Sequence, residues 1–421
     1  MLALATPTCY RPRMSTTSTP RARAPVGKVE FVALMAMLVA IVAFSIDAML
    51  PALPRIGAEL TPGALNRAQL VVTSFVLGLG AGTFVTGPLS DSYGRKPVIL
   101  VGAAVYMCGA VLAWVAPALE WLIAARIIQG LGAAAARIVA IAIIRDLFSG
   151  REMARLMSFV MMVFALVPAV GPLLGSLIIA ISDWRGIFVS FVLFAAVSSL
   201  WLSIRLDEPL SRAARRPFRA ASLGRALREV LSHPGVRISI AVQLLCFTTL
   251  FASISSIQQI IGETYGRGDE FPYWFFMIAV VAGTGSFINA SLVMRLGMRR
   301  MVSIALGAQI VFSAATLLLM QSGLAGGAQF ALYMAWQTTI FLQAALTLGN
   351  LTSLAMEPLG HIAGMAASVI NALATVGSVI LAVPIGLAFD GTPQPLLAGV
   401  LVCVLLGRLL LRQLEKPADD G

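Results

Sequence analysis

The chain has 421 residues, of which 59% are apolar and only 12% are charged, and its mean hydropathy is +0.90. A soluble protein needs about a quarter of its residues charged to cover its surface, so this composition excludes a soluble globular enzyme. Disordered chains have low hydrophobicity, so disorder is excluded as well. The chain is basic, with 30 Lys and Arg residues against 19 Asp and Glu residues.

Twelve stretches of mostly apolar residues are each close to the length of about 20 residues that a membrane-spanning helix needs. In chain order they are 31–52, 70–89, 98–118, 121–144, 156–181, 186–204, 238–261, 273–294, 301–320, 330–355, 363–389 and 396–414. The sequence therefore predicts an all-α membrane protein.

A polar, Arg-rich segment at 205–237 divides these helices into two sets of six. The turns that open the third helix of each set both contain a Gly followed by basic residues. Two pseudo-symmetric six-helix bundles are a transporter architecture, with a site between them near the middle of the membrane. The predicted parts are a tail at 1–30, a bundle at 31–204, a central loop at 205–237, a second bundle at 238–414 and a tail at 415–421.

The cations are distributed unevenly between the predicted loops. The large majority lie in the two tails, the central loop and the even-numbered loops, which share one side of the membrane. Under the positive-inside rule this bias places both termini in the cytoplasm. It also explains the basic composition without a nucleic-acid partner.

Three ionisable residues, Asp47, Arg126 and Arg137, fall well inside predicted spans. An unpaired charge there costs several kcal/mol, so each is a candidate functional residue. From the rise of an α-helix, Asp47 lies about 24 Å from the cytoplasmic start of its helix, and Arg126 about 8 Å from the opposite face. In a hydrocarbon core of about 30 Å the two share a similar depth, which predicts that they pair.

Two interpretations of such a pair are open. In the first, Asp47 gains and loses a proton, and the nearby guanidinium of Arg126 controls its ionisation. In the second, a static ion pair holds two helices together. Arg137, nearly on the same helix face as Arg126, either attracts an anionic group or extends toward the aqueous side.

Uncharged polar residues within the spans form a second candidate set. Gln129 follows Arg126 by three positions and shares its face. The alternative function of each neutral residue is a hydrogen bond between helices. We predict a substrate cavity lined by Asp47, Gln129, Arg137, Gln258 and Asn289.

The sequence predicts no metal site and no cofactor. The four cysteines are far apart and only two histidines are present, so metal-binding spacing is absent from the sequence. Motifs of membrane-embedded hydrolases, such as GxSxG and HExxH, are also absent from it. An enzyme is therefore not predicted, and a proton gradient is the expected energy source.

The turn between the second and third predicted helices reads Gly87-Pro-Leu-Ser-Asp-Ser-Tyr-Gly-Arg-Lys96-Pro-Val. It resembles the signature G-x-L-[AS]-D-R-x-G-R-[RK] of the major facilitator superfamily, with Ser92 where Arg is usual. The resemblance implies a gating loop that latches the two halves on the cytoplasmic side and favours the outward-open state. Its residues are Gly87, Asp91, Gly94, Arg95 and Lys96.

Two further elements resemble motifs of the same superfamily. Arg126-Ile-Ile-Gln-Gly-Leu-Gly132 is similar to its R-x-x-Q-G-x-G element, whose Arg is associated with proton coupling in exporters. The fifth predicted helix is similar to the G-P-x-x-G-G antiporter motif, with Ser176 for the last Gly, and this motif implies export rather than uptake. The matching antiporter residues are Pro168, Gly171, Pro172 and Gly175.

Helix 1 reads Ser45-Ile-Asp-Ala-Met-Leu-Pro51-Ala-Leu-Pro54, and with Asp183-Trp-Arg-Gly-Ile-Phe188 it resembles the Bcr/CflA group of drug:proton antiporters. The resemblance implies a monomeric exporter of bicyclomycin-like or amphenicol-like drugs in the bacterial inner membrane, with protons, a small-molecule substrate and the lipid bilayer as partners. The alternative is a proton-coupled uptake permease on the same fold.

Overall fold

The computed structural model describes residues 26–215 and 217–415, and within these ranges the chain forms helices, turns and no strand. The predicted terminal tails fall mostly on residues 1–25 and 416–421, outside the described ranges. The helices are α1 Lys28–Asp47, α2 Leu53–Leu60, α3 Leu70–Tyr93, α4 Arg95–Trp114, α5 Leu119–Leu147, α6 Gly150–Ile181, α7 Gly186–Arg205, α8 Ala220–Ser232, α9 Pro234–Gln259, α10 Phe271–Leu296, α11 Met298–Met320, α12 Gly326–Met356, α13 Ala363–Leu387 and α14 Gln394–Glu415.

The twelve predicted spanning helices are confirmed. Within the described residues, 11 continuous helical stretches are long and apolar enough to cross a membrane, and one of them, Gly326–Leu387, holds both α12 and α13. Besides the twelve spanning helices, the described part of the chain contains two short helices, α2 and α8. The fifth span begins at Gly150, six residues before the predicted start, because the basic residues that precede the apolar run continue the helix beyond it.

The segment predicted as a plain central loop contains helix α8. Leu223, Leu227 and Val230 form its apolar face, which packs against Ala366 and Val369 of α13. Because these apolar residues recur at helical spacing, they stabilise an amphipathic helix against the C-terminal half.

Helices α1–α7 form the N-terminal half and α9–α14 the C-terminal half. The most extensive contacts between the halves are those of α3 with α13 and of α6 with α10. One end of the bundle carries the basic turns after α3, α5 and α10 and the segment between α7 and α9; we call it the basic end. The other end, where α2 and the short α4–α5 turn lie, is the far end.

Glycines set the close packing within the N-terminal half. A Cβ added at Gly78 would lie 2.1 Å from the carbonyl oxygen of Ile127, and one at Gly130 would lie 2.1 Å from that of Phe75. The backbones of α3 and α5 therefore touch directly. These contacts fix the position of α5, which carries Arg126.

Candidate functional site

Asp47 is the last residue of α1 and is buried, with 4% of its surface exposed. The chain then passes through a 3-10 turn at Leu50–Ala52, where Pro51 prevents α1 from continuing regularly. Among the residues that the structure describes, none forms a hydrogen bond or an ion pair with the Asp47 carboxylate. A carboxyl group in these surroundings can change its protonation without breaking a contact to the protein.

The predicted antiporter motif lies directly against Asp47. A Cβ added at Gly171 of α6 would be 2.7 Å from the Asp47 Cβ, and one at Gly175 would be 2.2 Å from the Ala48 carbonyl oxygen. Pro168 and Pro172 lie inside the same helix, where each removes a backbone donor. The structure thus brings two groups of predicted residues together, the acid of α1 and the motif of α6.

Arg126 is fully buried in α5 and is held by three acceptors. Its Nε donates to the Val71 carbonyl at 3.0 Å, one terminal nitrogen to the Ser45 carbonyl at 2.9 Å, and the other to Gln129 Oε1 at 2.6 Å. The guanidinium also lies over the Phe75 ring, 4.4 Å from its centroid.

The predicted pairing of Asp47 with Arg126 is wrong for this conformation. The prediction rested on the depth of the two residues in the membrane, and depth does not determine the direction in which a side chain points. The Arg126 guanidinium points to the Ser45 carbonyl, two residues before Asp47. Backbone carbonyls satisfy the buried charge instead of the carboxylate. Arg126 of α5 therefore contacts the last turn of α1 close to Asp47 but forms no ion pair with it among the described contacts.

The five residues predicted to line one cavity do not share one. Gln129 is buried and bonded to Arg126, and Asn289 accepts a hydrogen bond from Asn350 of α12 at 2.7 Å, which is the interhelical alternative. Arg137 is half-buried, with its guanidinium 5.9 Å from the centroid of the Phe164 ring. Gln258 alone among the five lines the main cavity between the halves.

That cavity lies at the far end and has a volume of about 560 Å³. Both halves contribute to its wall, which carries amides, hydroxyls and a few charged groups. Its polar lining residues are Arg55, Gln69, Ser176, Ser255, Gln258, Gln259, Glu263 and Asp269.

A hydrogen-bond network of three amide side chains joins the halves beside this cavity, and sequence reasoning missed it. Gln69, in the 3-10 turn that precedes α3, donates to Gln259 Oε1 at 2.7 Å and to the Gly386 carbonyl at 3.2 Å. Gln259 in turn donates to Asn66 Oδ1 at 2.7 Å. Asn66 donates to the Phe389 carbonyl at 2.7 Å. We call Asn66, Gln69 and Gln259 the amide seal.

The seal is one end of a long contact between α3 and α13. A Cβ added at Gly80 would lie 2.9 Å from Val376, and one at Gly87 would lie 2.8 Å from the Ser368 hydroxyl. The halves therefore meet along this helix pair from the far end to the basic end. Gly87, a predicted gating-loop residue, lies at the basic end of this contact.

The remaining predicted gating-loop residues form a compact network at the basic end. The Arg95 guanidinium bonds to the Asp91 carboxylate, as its spacing predicts, and also to Asp146 at the end of α5 at 2.7 Å. Gly94 has a φ of +106°, which a residue with a side chain rarely adopts. The turn between α3 and α4 is thereby fixed to the end of α5.

Glu208 of the central segment completes this network. Its carboxylate accepts hydrogen bonds from the backbone N–H groups of Arg95 at 2.8 Å and Lys96 at 2.9 Å. The negative charge therefore caps the N-terminus of α4, where the helix dipole favours an anion. Lys96 also donates to the Ser203 carbonyl at 2.8 Å.

Two six-helix halves with buried ionisable groups and a cavity between them define a membrane transporter. The family model described as Major Facilitator Superfamily matches residues 35–382, and the chain belongs to this family.

The chain resembles several bacterial relatives. It is 29% identical to a bicyclomycin resistance protein homolog of Haemophilus influenzae over 282 residues, 67% of this chain and 71% of that protein. It is 27% identical to the multidrug resistance protein MdtL of Escherichia coli O139:H28 over 376 residues, 87% and 90% of the two chains. The crystal structure of a D-xylose-proton symporter superposes with a TM-score of 0.72 at 13% identity, covering 91% of this chain and 97% of that one, which shows the shared fold.

Proposed function

We propose that this protein is a drug:proton antiporter that exports small drug-like molecules by alternating access. The names of the relatives support drug resistance as the outcome of transport. The position of the antiporter-like motif, with Gly171 and Gly175 against Asp47 and Ala48, supports export.

The observation that carries the proposal is the buried, unpartnered carboxylate of Asp47. A charge inside a membrane protein is costly unless it is paired or hydrated, and such residues commonly belong to ion or proton pathways. Asp47 takes a proton when its site opens to the far side and returns it when the site opens to the basic side. Drug and proton then alternate because each favours a different conformation.

Arg126 has a positioning function in this proposal. Its bond to the Ser45 carbonyl holds the last turn of α1, which ends in Asp47. A shift of α1 against α5 must stretch that bond, so Arg126 ties the exposure of Asp47 to the relative position of these helices. The protein needs no bound cofactor, because the proton gradient supplies the energy.

We place the basic end in the cytoplasm of a bacterial cell and the bundle, as a monomer, in the inner membrane. The cations of the central segment and of the basic turns support this orientation under the positive-inside rule. The drug then leaves through the far end, past the amide seal.

Proteoliposomes test the proposal directly. With an imposed pH gradient, wild-type protein should accumulate drug on the side that loses protons, and Asp47→Asn should reduce this exchange to background. Asp207→Asn, which changes an exposed carboxylate in the segment after α7, should transport like wild type. Normal exchange by Asp47→Asn contradicts the assignment of Asp47, and movement of drug and proton in the same direction indicates a permease instead.

A further inference from the structure

A second cavity lies within the C-terminal half at the basic end of the bundle. It has a volume of about 370 Å³ and lies where α9 and α11 begin and where α12 and α14 end. Each of these helices contributes to the wall, through Pro234, Arg299, Leu354 and Leu414 in turn. The cavity shares no lining residue with the far-end cavity, and it lies close to one surface of the membrane because four helices begin or end there.

The hydroxyl group of Ser239 lines this cavity and forms no hydrogen bond with a described residue. Ser239 lies on α9 and is 2% exposed. Other buried hydroxyls of the bundle, such as those of Ser45 and Thr86, donate to the backbone carbonyl four residues earlier. A buried hydroxyl without a partner is costly and uncommon in proteins. An acceptor from outside the chain would supply the bond that Ser239 lacks.

The first turn of α9 forms part of the same wall, through Pro234, Gly235 and Val236. The N-cap residue His233 makes no capping hydrogen bond, and no other described side chain accepts one from the N–H groups of Gly235 and Val236. The N-terminus of α4, by contrast, is capped by Glu208. The positive end of the α9 dipole therefore meets the cavity without an anion, and such an end favours a phosphate group.

Two further donor side chains belong to the wall of this cavity. Arg299 uses one terminal nitrogen for the Leu414 carbonyl at 3.3 Å, and its other N–H groups have no partner among the described residues. His233 also lines the cavity, and an imidazole can donate a hydrogen bond whether neutral or protonated. Glu357 is the one acid of the wall, and its side chain is exposed to solvent, which screens its charge. The cavity is thus suited to an anion.

The size, apolar wall and position of the cavity favour a lipid as the source of this anion. A volume of about 370 Å³ has room for about a dozen water molecules, far more than a phosphate ion needs. Val236, Leu354 and Leu414 form an apolar side of the wall, and α14 exposes Leu405 and Leu409 on its outer face. Basic pockets between spanning helices at a membrane surface are typical binding sites for lipid headgroups.

We propose that this cavity binds the phosphate group of an anionic phospholipid. Ser239, Arg299 and the first turn of α9 are its donors, and the acyl chains lie along the outer face of α14. His233 is the single residue between α8 and α9, so a lipid bound beside it holds the central segment against the C-terminal half. The site is separate from the proposed transport function and does not depend on it.

Binding of dioleoylphosphatidylglycerol to the purified, delipidated protein, measured by native mass spectrometry, tests the proposal. Ser239→Ala removes one hydrogen bond to the phosphate and should weaken binding about fivefold. Arg299→Gln removes a charged donor and should weaken binding about tenfold or more. The matched control is Arg300→Gln, which removes the adjacent exposed cation outside the cavity wall and should bind the lipid within about twofold of wild type.

Melting temperatures separate a loss of binding from a loss of structure. Because the Ser239 hydroxyl has no partner in the described chain, Ser239→Ala without lipid should melt like wild type. Added phosphatidylglycerol should raise the melting temperature of this variant less than that of wild type, since it binds the lipid more weakly. If Arg299→Gln is unstable because it loses the bond to the Leu414 carbonyl, Ser239→Ala decides the question.

Three further probes identify the part of the lipid that is bound. Dioleoylglycerol lacks the phosphate, whereas glycerol 3-phosphate and inorganic phosphate lack the acyl chains, and each should bind about tenfold more weakly than the phospholipid, or weaker still. Equally tight binding of dioleoylglycerol overturns the phosphate site, and equally tight binding of either soluble phosphate overturns the lipid assignment. Wild-type lipid affinity in Ser239→Ala, or an equal loss in Arg300→Gln, overturns the site itself.

Discussion

The two halves of the bundle satisfy their buried polar groups in different ways. In the N-terminal half, the buried guanidinium of Arg126 is met by two backbone carbonyls and Gln129, and glycines bring α3 and α5 into backbone contact. In the C-terminal half, the buried amide of Gln337 has no hydrogen-bond partner at its nitrogen or its oxygen within the described chain. The chain thus meets the buried charge of the N-terminal half, whereas it leaves a neutral amide of the C-terminal half without a partner among the described residues.

The related turns at the basic end show the same difference. Gly94 and Gly297 both have positive φ, at +106° and +81°, and each opens the third spanning helix of its half. After Gly94 the helix is capped by Glu208 and fixed through Arg95 to Asp146. At the other turn, a side chain of the described residues makes a single longer hydrogen bond, from Arg299 to the Leu414 carbonyl at 3.3 Å. The N-terminal half is thus held more firmly at this end.

The largest expected effect comes from disturbing the close helix packing of the N-terminal half. Gly175→Ala would place a Cβ 2.2 Å from the Ala48 carbonyl oxygen, so α1 or α6 must move. We expect a loss of about 3 kcal/mol or more, seen as a lower yield of monodisperse protein and a lower melting temperature. Gly349→Ala on α12, where nothing lies within 4 Å of the new Cβ, is the matched control and should be neutral or slightly stabilising. Equal losses of stability in Gly175→Ala and Gly349→Ala would show that the N-terminal half is not the more tightly packed half.

The second test concerns the buried charge. Arg126→Lys keeps the charge but cannot reach three acceptors with a planar fork, so it should cost about 3 kcal/mol in denaturation measurements. Arg137→Lys is its control, because the Arg137 guanidinium makes no hydrogen bond with a described residue. The control should change stability by less than about 1 kcal/mol. Similar losses in both variants would mean that the bonds of Arg126 contribute little.

The third test opens the contact between the halves. Gln259→Leu removes its bonds to Gln69 and Asn66, and each is worth about 1 kcal/mol, so the population open at the far end should rise at least tenfold. The labelling rate of a cysteine placed at the buried, cavity-lining Ala68 measures this rise. Gln321→Leu, an exposed far-end glutamine, is the control. An unchanged rate would show that the amides do not hold this end closed.

The smallest expected effect is at the cap of α4. Glu208→Gln removes the negative charge near the backbone N–H groups of Arg95 and Lys96 and should lower stability by about 1 kcal/mol. Glu357→Gln, on an exposed residue between α12 and α13, should change the melting temperature negligibly. If Glu208→Gln lowers the melting temperature no more than Glu357→Gln does, the central segment does not stabilise the N-terminal half.

The sequence predicted much of the fold because spanning helices need long apolar runs, which are visible without any tertiary contact. The bond from Arg126 to Gln129 was also predictable, since their spacing alone brings them together. The acceptors at Val71 and Ser45 were not, because every residue has a backbone carbonyl and nothing in its side chain marks it. The amide seal was missed for a related reason, since Gln69 and Gln259 are 190 residues apart and belong to no motif.

The long contact between α3 and α13 provides an axis about which the two halves can rotate against each other. Gly80 stands between its two ends, 11 residues from Gln69 and 7 residues from Gly87, which are distances of about 16 Å and 10 Å along the helix. A tilt of about ten degrees that keeps the packed basic end in contact and turns around Gly80 would separate the far end by about 3 Å. One small rotation can thus break the amide bonds at the far end while the basic end stays closed.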